Sequence, residues 1–294
     1  MSGWWVAVNP AAGRGADLAG RAASALAAHD IEHQLVVSPS PDAVDGLISL
    51  GIERGYTNFA AVGGDGMANL VLNGLMAHEW PSPPTLGILP AGSGSDFVRT
   101  FALPDSVEAA AVHFVDEQRY PADIGLIEGA FGSRYFLNAA NAGVAAHAAG
   151  IANRLPDRLG AGRYAIAFWM ALPAFPPAKV SVTVDGREMG GDLMNVVIAN
   201  GQFFGGGLNV APRSTVQDGV FDVQLFSGPR SNAPLVMARI ARGTHLTHRA
   251  VRRTKGSAIA VDCPESWPIE ADGERLGAGP VTVEVLPQEI HFKI

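Results

Sequence analysis

Asn58-Phe59-Ala60-Ala61-Val62, then Gly63-Gly64-Asp65-Gly66, then Met67-Ala68-Asn69-Leu70-Val71-Leu72-Asn73-Gly74-Leu75-Met76-Ala77-His78, form an apolar run, a glycine turn and a long, mostly apolar stretch. Residues 58–62 read as a strand and residues 66–78 as a helix. A strand that passes through a short turn into a helix is the repeating unit of a parallel α/β sheet. The unit recurs on both sides. Trp4–Val8 reads as a strand before a helix at 14–28, residues 34–37 as a strand before a helix at 42–54, and residues 85–89 as a strand before a short helix at 95–101. Right-handed crossovers place the C-terminal ends of such strands on one edge, where open α/β sheets bind ligands.

After about residue 121 the texture changes. Residues 179–185 read Lys-Val-Ser-Val-Thr-Val-Asp, residues 220–226 alternate through Phe221, Val223 and Leu225, and residues 281–285 alternate Val, Thr, Val, Glu, Val. Period two with one polar face signals antiparallel strands wetted on one side. Asp185-Gly186, Asp218-Gly219 and Asp272-Gly273 supply turns. The expected organisation is an α/β domain over 1–121, with about 287–294 packing back on it, and a β-rich domain over 122–286.

Composition narrows the function classes. The chain has 294 residues, 48% hydrophobic and 17% charged, which suits an ordered globular protein. Its 21 basic and 28 acidic residues give a net charge of −7, against a dedicated nucleic-acid binder. The single cysteine, Cys263, excludes an internal disulfide framework and a cysteine-rich zinc site, and fits a reducing, cytoplasmic setting. Met1-Ser2-Gly3-Trp4-Trp5 has no basic lead, so no signal peptide is expected. The apolar stretch 164–178 carries Pro173, Pro176 and Pro177 and falls short of the roughly 20 residues that span a bilayer. Contact with a membrane would come from its surface.

Three glycine-rich turns end strands of the first domain: Asn9-Pro10-Ala11-Ala12-Gly13-Arg14-Gly15, Gly63-Gly64-Asp65-Gly66, and Pro90-Ala91-Gly92-Ser93-Gly94-Ser95-Asp96-Phe97. Glycine lets backbone N–H groups approach an anion, and each following helix offers its positive end. Three together point to a polyphosphate. No Walker A loop is present, and Leu18 stands where a dinucleotide fingerprint needs its third glycine. No Gly-x-Ser-x-Gly elbow occurs, and His245 and His248 lack the His-Glu-x-x-His pattern.

These motifs resemble the catalytic domain of the diacylglycerol kinase family, in its soluble bacterial branch related to sphingosine and ceramide kinases. The likeness runs from Val6-Ala7-Val8-Asn9-Pro10 through Gly63-Gly64-Asp65-Gly66 and Gly92-Ser93-Gly94-Ser95-Asp96 to Asp123-Ile124-Gly125, Phe136-Leu137-Asn138, Asn200-Gly201, Gly205-Gly206-Gly207, Asp218-Gly219, Asp222-Val223 and Asp272-Gly273-Glu274. It implies an α/β nucleotide-binding domain of the NAD kinase and phosphofructokinase type with a parallel sheet, then a β-sandwich, with the active site in the cleft between. It implies ATP and Mg²⁺ as cofactors, a lipid substrate and a role in phospholipid biosynthesis. Asn9, Gly63, Gly64, Asp65, Gly66, Gly92, Ser93, Gly94 and Glu274 would bind the nucleotide. Asp65, Asp96 and Asp123 would form a carboxylate network around Mg²⁺. Asp272 would be the catalytic base. Asp218 resembles a structural-metal ligand and equally reads as a turn residue.

Three positions depart from the family pattern: Met67 replaces a usual threonine, Ser95 a usual asparagine, and Leu70 a common glutamate. A soluble-substrate kinase of the NAD kinase type and a catalytically weak nucleotide- or lipid-binding protein are the alternatives. Residues 165–177 read either as core or as the lining of an acyl-chain cleft. The basic residues Arg239, Arg242, Arg249, Arg252, Arg253 and Lys255 read either as a solvated face or as a contact for anionic lipid. The expected location is cytoplasmic and peripheral at the membrane surface, with no nucleic-acid partner and with a homodimer left open.

Overall fold

The computed structural model describes residues 3–10, 12, 17–91, 96–160 and 162–294, the side chain of Asp157 excepted. The chain divides into two compact units, Met1–Ala122 with Gln288–Ile294, and Asp123–Pro287.

The first unit is a parallel sheet flanked by helices. In chain order it runs β1 (Trp4–Val8), α1 (Leu18–Ala27), β2 (His33–Val37), α2 (Val44–Glu53), β3 (Asn58–Gly63), α3 (Asp65–Met76), β4 (Thr85–Pro90), α4 (Asp96–Thr100) and α5 (Val107–Ala111). Val6 of β1 stands between Leu35 of β2 and Ala60 of β3, and Ala61 of β3 pairs with Ile88 of β4, all parallel. At the end of the chain, His291 and Phe292 add a parallel strand beside Thr85 and Leu86. Every residue of β1, β3 and β4 is buried. That explains their unbroken apolar sequences, because helices cover both faces of such a sheet. Helix α1 starts later than its sequence pattern, at Leu18. Asp17, at φ 64°, caps it by accepting the Gly20 N–H at 2.8 Å.

The second unit is antiparallel. Its order is β5 (Arg119–Gly129), which begins in the first unit, β6 (Gly132–Phe136), β7 (Ala139–Gly143), α6 (Val144–Ala152), α7 (Gly162–Ala171), β8 (Ala178–Val184), β9 (Arg187–Ala199), β10 (Phe203–Phe204), β11 (Leu208–Asn209), β12 (Phe221–Ser227), α8 (Ala233–Ile240), β13 (Val251–Gly256), β14 (Ala258–Asp262), β15 (Pro268–Ala271), β16 (Glu274–Ala278) and β17 (Val281–Lys293). The long strand β9 organises it. Its first half pairs with β8, and Asn195–Ala199 pairs with β7 on one side and β12 on the other. β15 then joins β7 to β16. Phe136, Val182, Val196, Phe221, Ile259 and Ile269 meet in one core. These are the inward positions of alternating strands, as in a sandwich. Among the described residues no helix is long and apolar enough to cross a membrane.

Candidate functional site

In the first unit, the turn that follows β3 is built around two different glycines. A Cβ on Gly63 would stand 2.8 Å from the Cβ of Met67, so glycine is needed there for the turn to close on the helix. Met67 itself is only 3% exposed, and its apolar side chain packs inward. Gly66 is exposed, and a Cβ on it would meet nothing within 4 Å. Neither packing nor a positive φ asks for glycine at that position.

Asp65 opens α3, and its carboxylate reaches the third turn. Oδ2 accepts the N–H of Asp96 at 2.8 Å, and Oδ1 accepts the N–H of Phe97 at 3.3 Å. Asp96 is buried, with the Arg99 guanidinium 3.9 Å from its carboxylate. Phe97 and Phe101 pack against Phe292, which anchors α4 to the sheet. Asn9 ends β1 with its N–H on the Val62 carbonyl, and its own carbonyl accepts from Ala12. Gly92, Ser93 and Gly94 lie outside the described residues, as do Gly13, Arg14, Gly15 and Ser95.

In the second unit Asp123 is fully buried. Its Oδ2 accepts the Gly219 N–H at 2.8 Å, and its carbonyl accepts from Asn200 Nδ2 at 2.8 Å. The neighbouring Asp218 pairs with Lys255 Nζ at 2.6 Å. The Asp218-Gly219 turn therefore serves as the clamp on Asp123.

Asp272 follows β15 at φ 49°. Its carboxylate accepts three backbone N–H groups: Leu137 at 2.7 Å, Asn138 at 2.9 Å and Ala139 at 3.1 Å. Its own N–H returns to the Ala139 carbonyl at 3.0 Å. Glu274 pairs with Arg134 at 3.0 Å and is half exposed.

One site residue escaped the sequence reading. Glu270 stands in β15, all four residues of which are buried. It accepts the Gly273 N–H and, at 2.8 Å, the side-chain amide of Asn141. Burial pushes its carboxyl up to about 7; the two N–H donors pull the other way, and the Asp272 charge adds to the rise. The visible signal was a lone acid in an apolar strand beside an Asp-Gly turn.

The basic residues near the C-terminus do not share one face. α8 ends at Ile240, so Arg249 is not on it. Arg253 neutralises Asp222, which is fully buried, Arg252 donates to the Gly190 carbonyl, and Lys255 holds Asp218. Asp222 also accepts from Gln224, whose Oε1 lies 3.0 Å from the buried His245. Burial lowers the His245 pKa. The apolar stretch also divides: Leu172 and Phe175 are buried in the core, while Trp169 and Met170 are exposed.

The structure thus joins Asp65 to Asp96, Asp123 to the turn of Asp218, and Asp272 to Glu270. Among the described residues no group of three or more His, Cys, Asp and Glu side chains is arranged to hold a metal by itself.

A model of the diacylglycerol kinase catalytic domain matches residues 3–127, and a model of the YegS C-terminal NAD kinase β-sandwich-like domain matches residues 138–293. A diacylglycerol kinase of Bacillus subtilis is 30% identical over 241 residues, covering 81% of this chain and 78% of the relative. A diacylglycerol kinase of Mycobacterium tuberculosis is 29% identical over 283 residues, covering 92% and 90%. The crystal structure of a diacylglycerol kinase from Bacillus anthracis superposes with a TM-score of 0.75 at 20% identity, covering 99% of this chain and 96% of that one. That likeness speaks to the fold.

Proposed function

We propose a reaction for a chain that belongs to the diacylglycerol kinase catalytic-domain family: transfer of the γ-phosphoryl group of ATP to the hydroxyl of a lipid, diacylglycerol or one like it. The observation that carries the reading is the Asp272 carboxylate, fixed in one orientation by three backbone amides. The lipid oxygen attacks the γ-phosphorus, the bond to the β–γ bridging oxygen breaks, ADP leaves, and the hydroxyl proton passes to Asp272. A proton acceptor in this role contributes about 10² to 10⁴ in rate.

The nucleotide side of the reaction falls to the first unit. Gly66 leaves the first turn of α3 bare, which suits an approaching phosphate. Asp65 and Asp96 are hard-oxygen donors linked by one hydrogen bond, and both oxygens of Asp65 already accept backbone N–H groups. Such donors fit an ion that keeps several of its waters. These two would hold Mg²⁺, which when bound would supply neutralising charge to the phosphate oxygens.

For the lipid surface, α7 is the better candidate than residues 239–255, whose charges are partly engaged. Ile166, Trp169 and Met170 are 42%, 43% and 56% exposed at helical spacing, while Ala167 and Ala171 face inward. Trp169→Ser should weaken co-sedimentation with anionic vesicles while leaving phosphorylation of a short-chain, water-soluble analogue unchanged. Unchanged vesicle binding would move the contact elsewhere.

The test of the activity is incubation with ATP and Mg²⁺ against diacylglycerol, phosphatidylglycerol, a sphingoid base, ceramide and NAD, read by mass spectrometry. A phosphorylated lipid is expected. Phosphorylated NAD without any lipid product would replace the reading with the soluble-substrate one.

A further inference from the structure

Nothing in this reaction uses Glu270, yet its hydrogen bonds have a direction that is set far from it. The Ala145 N–H, in the first turn of α6, can only donate, and it donates to Asn195 Oδ1 at 2.8 Å. Asn195 must then turn its amide nitrogen to Asn141, where it donates to Oδ1 at 3.3 Å. Asn141 must in turn present its nitrogen to Glu270, donating to Oε2 at 2.8 Å. The remaining oxygen, Oε1, accepts the Gly273 N–H.

Position 270 therefore faces two donors at once. A carboxylate offers an acceptor to each. A glutamine of the same shape offers one acceptor and sets its own N–H₂ against a second donor. The polarity of the chain of amides selects glutamate, and shape does not.

What the second oxygen holds is the turn that presents Asp272. Asp272 and Gly273 have φ values of 49° and 84°. Aspartate is among the few non-glycine residues that reach the left-handed region, as Asp17, Asp30 and Asp185 also do here, so the turn is held by its hydrogen bonds and not by conformational strain. The Asp272 carboxylate is tied to Leu137, Asn138 and Ala139, and the Gly273 N–H is tied to Glu270.

We propose that Glu270 is a positioning residue for Asp272: at the end of a one-way relay that begins at Ala145, its two acceptor oxygens fix the Asp272-Gly273 turn and so the direction of the carboxylate that takes the proton. This rests on Asp272 being the base.

The test is a rescue. Glu270→Gln should lower kcat about tenfold or more with KM for ATP within about twofold, the signature of a lost transition-state alignment. Adding Asn141→Asp restores the polarity. The carboxylate then at position 141 accepts from Asn195 and from the amide nitrogen at position 270, which frees the amide oxygen at 270 for the Gly273 N–H. The double variant should return to within about threefold of the parent kcat, a coupling that independent sites would not show. Asn141→Asp alone places two carboxylates together in a buried spot and should be worse than either.

Parental kcat in Glu270→Gln would overturn the proposal, as would a double variant no better than the single. If Glu270→Gln does not fold, as judged by circular dichroism, the double variant decides. Folded and active, it supports the relay; unfolded or inactive, it overturns it. Asp272→Asn separates the two claims. If that variant keeps turnover within about threefold, the base assignment fails and this proposal with it. If it is dead while Glu270→Gln is fully active, only the relay fails.

Discussion

The turn after β3 and the turn after β15 are both written Gly or Asp beside Gly, and they work in opposite ways. Around Gly66 the molecule removes a side chain where its own packing asks for none to be removed. Around Asp272 it surrounds a carboxylate with three amides and buries a second acid two residues away. The bare turn proposed for the phosphates is written in local sequence, because the glycine itself is the device. A place built by buried hydrogen bonds is written in the pairing of distant strands.

The largest expected effect tests the second turn. Asp272→Asn should lower turnover by about two orders of magnitude or more, since an amide cannot take the proton. The substitution bears on the fold as well, because asparagine keeps one acceptor oxygen for three N–H donors. Losing a buried acceptor costs about 1–3 kcal/mol, so a lower Tm should accompany the lost activity. Turnover near the parental rate in a folded variant would make this turn purely structural.

This contrast also marks what the sequence made legible. Three strands of the first unit, β1, β3 and β4, declare themselves because each is buried along its whole length, while β2 has no fully buried residue and is read from the glycine and proline punctuation that all four share. The three glycine turns were visible for the same reason. Residues 139–152, Ala-Ala-Asn-Ala-Gly-Val-Ala-Ala-His-Ala-Ala-Gly-Ile-Ala, were not readable as strand and helix. Their composition is uniform, and the corner between β7 and α6 is a single Gly143 at φ 114°. Glu270 was illegible because its partner Asn141 lies 129 residues away in sequence. The clamp on Asp272 hides in the same way, since its donors are three backbone N–H groups with no side-chain signature.

A second measurement sharpens the contrast through pH. The native chain holds a proton on Glu270 up to about 7, and the unfolded chain releases it near 4.5. The folded pKa is the higher one, so this contribution is complete below about 4.5 and disappears as pH rises to about 7, a change of about 3 kcal/mol. His245 acts in the opposite sense: its lowered pKa gives stability that is lost as pH falls. The informative quantity is therefore the difference in Tm between parent and Glu270→Gln across that window. The neighbouring charges are Asp272 and the exposed Arg275, register partner of Glu270 on β16. The parent should lose Tm relative to the variant as pH rises from 5 to 7, even as its activity climbs because the relay needs the ionised form. A constant difference would mean that the carboxyl titrates normally and that burial is not setting its state.

The smallest effect tests the first turn, and it is a difference between two glycines three residues apart. Gly63→Ala sets a Cβ 2.8 Å from that of Met67, an atom fixed to the backbone of α3 that cannot swing aside. It should destabilise the first unit by about 1–3 kcal/mol. Gly66→Ala meets nothing within 4 Å and lies in the first turn of a 12-residue helix. On its own account the helix should gain up to about 1 kcal/mol from the exchange. ATP affinity should nonetheless fall about tenfold, because the new methyl occupies the space through which a phosphate reaches the backbone. A more stable protein with weaker nucleotide binding, measured by thermal melting and calorimetry on the same sample, separates a cleared ligand site from a tight turn. If Gly66→Ala binds ATP as the parent does, the bare turn of α3 is not where the phosphates sit. The contrast between the two turns would then collapse onto the second unit alone.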